Sequence, residues 1–264
     1  MTPVKTYPVP DRSHVLVIKQ RPWVTAFGIG ALVLLWEVAA RSKWVPPLFL
    51  PAPSLCALRA WDLIRTGELP VHIWASLKRI LAGYAIGVAA GLAVGIGTGF
   101  FGTARAIGQP LVQALFPIPK IAILPLLILW LGIGEPPKIA VIAIGAFFPM
   151  AINTHTGIVG CDPALLRAGI AFGANRWDLV KQVLLPAALP MIFAGLRLAA
   201  GMALLLVVSA ELISADSGIG FFILNAADLL HTEDLVVGLA VLSAMGVIFN
   251  AGIAEIERRI VRLK

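Results

Sequence analysis

Three long windows without a charged residue constrain this chain more than any other feature: between Arg79 and Arg105, between Lys138 and Asp162, and between Asp234 and Glu255. The hydrocarbon layer of a bilayer is about 30 Å thick and a helix rises about 1.5 Å per residue, so about 20 apolar residues make one crossing. Each window holds one. Three further apolar stretches carry isolated charges: Pro22 to Ala40, Leu111 to Leu131 with Lys120 inside, and Met191 to Ile213 with Arg197 and Glu211 inside. The pattern predicts an all-α integral membrane protein with six transmembrane helices, near residues 22–40, 80–102, 111–131, 138–157, 191–213 and 235–254. Residues 1–21 would precede a single transmembrane domain, 22–264. Composition agrees: 13% of residues are charged, against about 25% in soluble proteins. A water-soluble enzyme is excluded on that ground.

The net charge of +7 would suggest nucleic acid in a soluble domain. Here a bias of Lys and Arg toward one membrane face explains it, and no nucleic-acid partner is expected. With the N terminus inside, the inner segments hold Lys5, Arg12, Lys19, Arg21, Arg105, Arg167, Arg176, Lys181, Arg258, Arg259, Arg262 and Lys264. The outer segments hold fewer: Arg41, Lys43, Arg59, Arg65, Lys78, Arg79 and Lys138. Both termini are therefore expected in the cytoplasm. The stretch Ser214 to Asp234 has four acidic residues and no Lys or Arg, which fits an outer loop. Val38-Ala39-Ala40 has the small residues of a signal cleavage site, yet several spans follow, so the first stretch reads as an anchor. Cys56 and Cys161 would lie on opposite sides of the bilayer and cannot pair. No cysteine or histidine spacing suggests a metal site.

The second helix carries Gly83, Gly87, Gly91, Gly95 and Gly99 at four-residue intervals. In lipid such a ridge lets another helix approach closely, either as fixed packing or as a sliding surface. Four residues turn a helix through about 400°, so the stripe drifts, and contact with more than one neighbour is expected. The third helix contains Pro110, Pro117, Pro119 and Pro125. Two readings stand: an interrupted helix beside Lys120 lining a pathway, or a surface segment 117–120 with the span starting at Ile121. Arg197 and Glu211 are costly at membrane depth and should face the bundle interior or reach an interface; Arg197 would suit an anion or a salt bridge. Asn153 and His155 close the fourth span. With Lys120, Arg197 and Glu211 they form the candidate translocation pathway.

The most informative stretch, 160–190, lies between the fourth and fifth spans. Asp162-Pro163 is a good helix start, Gly173 can end that helix, Asn175 can cap the next, and Pro186 can stop it. Two short cytoplasmic helices with a bend at Gly173 are expected.

In this stretch the sequence resembles the membrane permease subunit of ATP-binding-cassette importers, whose cytoplasmic loop has a glycine and, further on, a Leu-Pro. Here these are Gly173 and Leu185-Pro186. The runs Gly173-Ala174-Asn175-Arg176-Trp177, Gly195-Leu196-Arg197-Leu198-Ala199 and Ala210-Glu211-Leu212-Ile213 look like the nitrate, sulfonate and taurine branch. The resemblance covers roughly Ser76 to the C terminus. It implies a type I importer permease fold and a coupling site at Arg167, Gly173, Ala174, Asn175, Arg176, Trp177, Asp178 and Pro186. At Arg167 the family's usual glutamate is replaced, which reverses a charge at that contact.

No phosphate loop is present, since Gly-Lys occurs nowhere in the chain, nor are there hydrolase or metalloprotease motifs. No catalytic residue and no cofactor are expected in this chain. The resemblance implies ATP and Mg on two partner ATP-binding subunits, a second permease copy, an external solute-binding protein and a bacterial inner membrane. The implied function is import of a small polar solute, an anion such as nitrate, sulfonate, taurine or bicarbonate, by alternating access. An ion-gradient-driven transporter or channel is the alternative, although no second copy of the proline cluster is present to mark an inverted repeat.

Overall fold

The computed structural model describes residues 22–42 and 45–262, and every regular element in them is helical. The N-terminal segment 1–21, with Lys5, Arg12, Lys19 and Arg21, lies outside the described residues, as do Lys43 and Lys264. The chain forms two compact units, one ending at Ser54 and the other beginning at Leu55.

In the first unit α1 (Pro22–Arg41) occupies the first expected span. The Glu37 carboxylate near its end accepts from the Ser54 backbone N–H at 3.0 Å and the Ser54 hydroxyl at 2.7 Å. Trp36 Nε1 donates to the Pro51 carbonyl at 3.1 Å. These bonds fold the following residues back along the helix.

The second unit continues α2 (Pro53–Arg65) into α3 (Glu68–Phe100), α4 (Gly102–Leu115), α5 (Leu124–Leu131), α6 (Glu135–Val159) and α7 (Pro163–Ala171). Then come the single turn α8 (Arg176–Asp178), α9 (Leu185–Ser214), α10 (Ile219–Asp228) and α11 (Thr232–Arg262). Among the described residues, four helices are long and apolar enough to cross a bilayer: α3, α6, the run Leu179–Ser214 and Thr232–Ile260. A fifth crossing exists if α4 and the run Lys120–Leu131, bent by 91°, count as one broken span.

α3 meets more than one neighbour, as expected: it packs against α4 and α9 as well as α6, and its interface with α6 is the largest, because that is where the glycines lie. A Cβ added at Gly83 would meet Ile142, at Gly91 Met150, at Gly95 Thr154 and at Gly99 Ile158, so the whole glycine stripe faces α6 alone. Each step of four along α3 is matched by a step of four along α6, which makes the helices parallel. A stripe that drifts on one straight helix stays in contact when its partner carries the same drift and the two cross in the right-handed sense, as small-residue seams do.

The third apolar stretch is broken after α4, as both of its readings require. Between α4 and the 3-10 turn Lys120–Ile123, the Lys120 ammonium donates to the carbonyls of Leu115, Phe116 and Ile118, at 3.3, 2.5 and 2.7 Å. It also stands 4.4 Å from the centroid of the Phe148 ring. Lys120 is buried with its ammonium satisfied by carbonyls at the break, where Pro117 and Pro119 supply no backbone donor.

α2 is fastened to the start of α11 by Arg59, whose Nε and Nη2 donate to Asp234 at 2.6 and 3.0 Å. Those bonds push the Arg59 guanidinium further up from its already high range. Cys56 and Cys161 belong to separate apolar clusters.

Candidate functional site

Beyond the C-terminal end of α6 the chain builds a sharply defined corner. Asp162 caps α7 by accepting from the Ala164 N–H at 2.8 Å. The helix ends in a Schellman turn: Gly173 N–H donates to the Ile170 carbonyl at 2.9 Å and Ala174 N–H to Gly169 at 3.0 Å. Gly173 has φ of 80°, the left-handed region where a Cβ is unfavourable. The next helix opens with a reciprocal cap. Asn175 Oδ1 accepts from the N–H groups of Trp177 and Asp178 at 2.8 and 3.0 Å, while the Asp178 carboxylate accepts from Asn175 N–H at 3.3 Å.

Pro186 does not stop the second helix, contrary to expectation. α8 runs through a π-helical segment, Leu179–Leu184, straight into α9, and the run Leu179–Ser214 is one 36-residue helix. The wider π turn, in which Leu185 N–H reaches back to the Val180 carbonyl, makes room for the pyrrolidine ring that would strike the preceding turn of a regular helix. The corner therefore has one short helix, α7, and the near end of a long one.

α7 and the π segment enclose an open groove of about 840 Å³, with Leu165, Gly169, Phe172, Gln182 and Pro186 among its lining residues. Gly169 allows the two to approach: a Cβ there would lie 2.7 Å from Leu179 Cδ2. Phe172 at the corner is 92% exposed and Trp177 just beyond it 66%. Large aromatics held rigidly beside a groove are the usual anchors of a protein interface. Of the expected coupling residues, Gly173, Ala174, Asp178 and Pro186 line the groove, Asn175 shapes it, and Arg176 begins α8. Arg167 is exposed. Burial and the adjacent Asp162 carboxylate push the nearby Cys161 thiol up from its ordinary pKa.

The five pathway candidates are dispersed, and no hydrogen bond or ion pair joins any two of them. Lys120 closes the helix break. Asn153 Nδ2 donates to the Pro149 carbonyl at 2.8 Å. His155 Nδ1 lies 3.1 Å from the Thr98 hydroxyl. Arg197 pairs with Glu257 of α11.

Glu211 belongs to a buried network at the opposite end of the bundle, and its main partner, Arg79, was assigned to a loop by sequence. Arg79 is 1% exposed, and all five of its N–H donors are engaged. Nε and Nη2 grip Glu135 at 2.7 and 2.6 Å; Nη1 reaches Glu211 at 2.7 Å and the Ser217 carbonyl at 2.6 Å; Nη2 also approaches the Ser217 hydroxyl at 3.3 Å. Glu211 further accepts from the Ser76 hydroxyl at 2.8 Å and the Gly220 N–H at 2.8 Å. Ser76 Oγ and His72 Nδ1 accept from the N–H groups of Ile219 and Gly218, at 2.8 and 3.1 Å. His72, Ser76 and Arg79 share one face of α3, and Gly83 continues it. That four-residue step from Arg79 to Gly83 was the available signal.

The profile of the binding-protein-dependent transport system inner membrane component family matches residues 85–262. A Bacillus subtilis (strain 168) protein named for aliphatic sulfonates transport as a permease is 34% identical over 245 residues, 92% of this chain and 89% of the relative. The taurine transport system permease protein TauC of Escherichia coli (strain K12) is 33% identical over 237 residues, 88% of this chain and 86% of the relative. Among solved structures, an inward-facing MetNI methionine ABC transporter superposes with a TM-score of 0.64 at 20% identity, covering 76% of this chain and 96% of that one. This last likeness speaks to the fold.

Proposed function

The chain belongs to the family of binding-protein-dependent transport system inner membrane components, the permeases of ATP-binding-cassette importers, and from that premise we propose a specific assembly, topology and cargo for it. Two copies of the chain join two ATP-binding subunits in a bacterial inner membrane, and an external solute-binding protein delivers the cargo. Both termini are cytoplasmic, so the α7 groove faces the ATP-binding subunits and the Arg79 network lies toward the outside. ATP and Mg are held by the partner subunits, and this chain hydrolyses nothing. The cargo is a small organic sulfonate or a related anion, as the names of the sulfonate and taurine relatives suggest.

The observation that carries this reading is the doubly capped corner at Phe172 to Asp178, which presents two exposed aromatics beside a groove on the near end of a 36-residue helix. A force applied at the corner acts directly on α9. Arg167, exposed beside it, meets water or an acidic or neutral partner surface. Family membership displaces the ion-gradient-driven alternative.

The test is reconstitution in lipid vesicles with the ATP-binding subunits and the solute-binding protein. ATP-dependent uptake of a sulfonate or taurine is expected. Phe172→Asp should abolish that uptake, and weaken capture of the ATP-binding subunits, while membrane insertion persists. Equal uptake without ATP-binding subunits would refute the coupling, and a binding protein selective for neutral solutes would refute the anion.

A further inference from the structure

The Arg79 network divides into two halves of different character. The inner half, Glu211 and Ser76, is fully buried, whereas the Glu135 side chain is 53% exposed. If Glu135 lets go, Arg79 keeps Glu211 and Ser217, and the core pair stays neutral. The released carboxylate stays satisfied too: it sits in the first turn of α6, where the helix dipole favours a negative charge, and Lys138 is 3.6 Å away. Glu135 is thus held by two cations at once, Arg79 and the buried Lys138, and keeps the second if the first lets go, while Arg79 has enough without it. The inner half has no such alternative, because an unpaired buried Glu211 or Arg79 would be strongly unfavourable.

Gly134, immediately before Glu135, has φ of 139°, a conformation that residues with a side chain rarely adopt, and it sets the direction in which α5 is joined to α6. On the other side of the guanidinium lies the 217–220 linker into α10, whose N–H groups are held by His72, Ser76 and Glu211. Arg79 therefore ties α3, α6, α9 and the α10 linker together at the end remote from the α7 groove. The 25 residues of α6 separate the two ends, roughly 36 Å at the helical rise.

We propose that Arg79–Glu135 is the releasable half of a latch that holds this end of the bundle shut, with Arg79–Glu211 its permanent half and Lys138, already paired with Glu135 here, the partner that Glu135 keeps in the open state. Glu135 and Lys138 are positioning residues: they set how readily this end opens and need not touch the cargo. The proposal rests on the alternating-access reading above, with the latch on the outer face.

The experiment uses the assembled transporter in lipid vesicles and measures ATP hydrolysis with and without the solute-binding protein, together with uptake and the thermal unfolding midpoint. Glu135→Gln keeps the shape and weakens the pair, so hydrolysis without the binding protein should rise about fivefold, the worth of a partly exposed ion pair. Lys138→Met removes the partner that Glu135 keeps on release, so it disfavours release and should move the same ratio the opposite way. Opposite signs at two residues that touch each other are not expected from simple loss of stability. The latch is overturned if both variants lower the unfolding midpoint while the ratio of unstimulated to stimulated hydrolysis stays at the wild-type value. If the wild-type assembly shows no ATP-dependent uptake, the transport reading itself fails and takes the latch with it.

Discussion

At the scale of single residues, the two charges that the fifth span carries meet different fates, and burial decides which matters. Glu211 is enclosed, and its carboxylate accepts from Arg79, Ser76 and Gly220, so Glu211→Ala takes the buried counter-ion from Arg79, which Glu135 then holds only from its more exposed side, and leaves the Gly220 N–H without its acceptor. Breaking a buried pair from one side costs about 3–5 kcal/mol, and the assembly should show a clear fall in unfolding midpoint or denaturant tolerance. Arg197 and Glu257 are 40% and 25% exposed at their side chains, so Arg197→Ala should cost only about 0–1 kcal/mol. The same variant reports on mechanism: unchanged uptake rate and apparent affinity would remove Arg197 from the pathway. The sequence showed that Glu211 needed a partner but not where to find it. Arg79 stands at the edge of a charge-free window, where a span boundary and a buried anchor look alike.

At the scale of elements, the α3–α6 seam makes a paired prediction, because the glycines of α3 are not equivalent. A methyl at Gly91 would lie 2.5 Å from the Phe147 carbonyl oxygen and 2.8 Å from Met150 Cβ, whereas at Gly97 it would meet nothing within 4 Å. Gly91→Ala should force the helices apart at a cost of about 1–3 kcal/mol, lowering the folded yield and the unfolding midpoint. Gly97→Ala should be neutral or slightly stabilising through helix propensity. The glycine stripe was plain in the sequence; its single partner was not, because Ile142, Ala146, Met150, Thr154 and Ile158 share a spacing but are of four different residue types. Likewise the prolines announced the break after α4, but its 91° bend depends on how Lys120 gathers three carbonyls, a tertiary event. Pro186 misled for a related reason: a proline stop assumes regular helix geometry, and the π segment lifts that assumption.

At the scale of the whole molecule, α9 is the element that links both ends: the Leu179–Ser214 run begins at the groove and carries Glu211 near its far terminus. On the proposed function, movement of the corner would reach the Arg79 network through one continuous helix, so the geometry of the corner should govern coupling while contributing little to bundle stability. Gly173 allows these to be separated. Its φ of 80° penalises any side chain, yet a Cβ there would touch nothing within 4 Å. Substitution therefore imposes backbone strain of about 1–2 kcal/mol without a clash, and relieving it redirects Phe172 and Trp177. The penalty is least for Asn, which tolerates the left-handed region, and greatest for a β-branched residue. ATP-dependent uptake should fall in the order Gly173, Gly173→Asn, Gly173→Ala, Gly173→Val, with the unfolding midpoint of the assembly nearly constant across the series. A midpoint that fell in step with uptake would mean that the corner is part of the bundle's structural core and transmits nothing of its own.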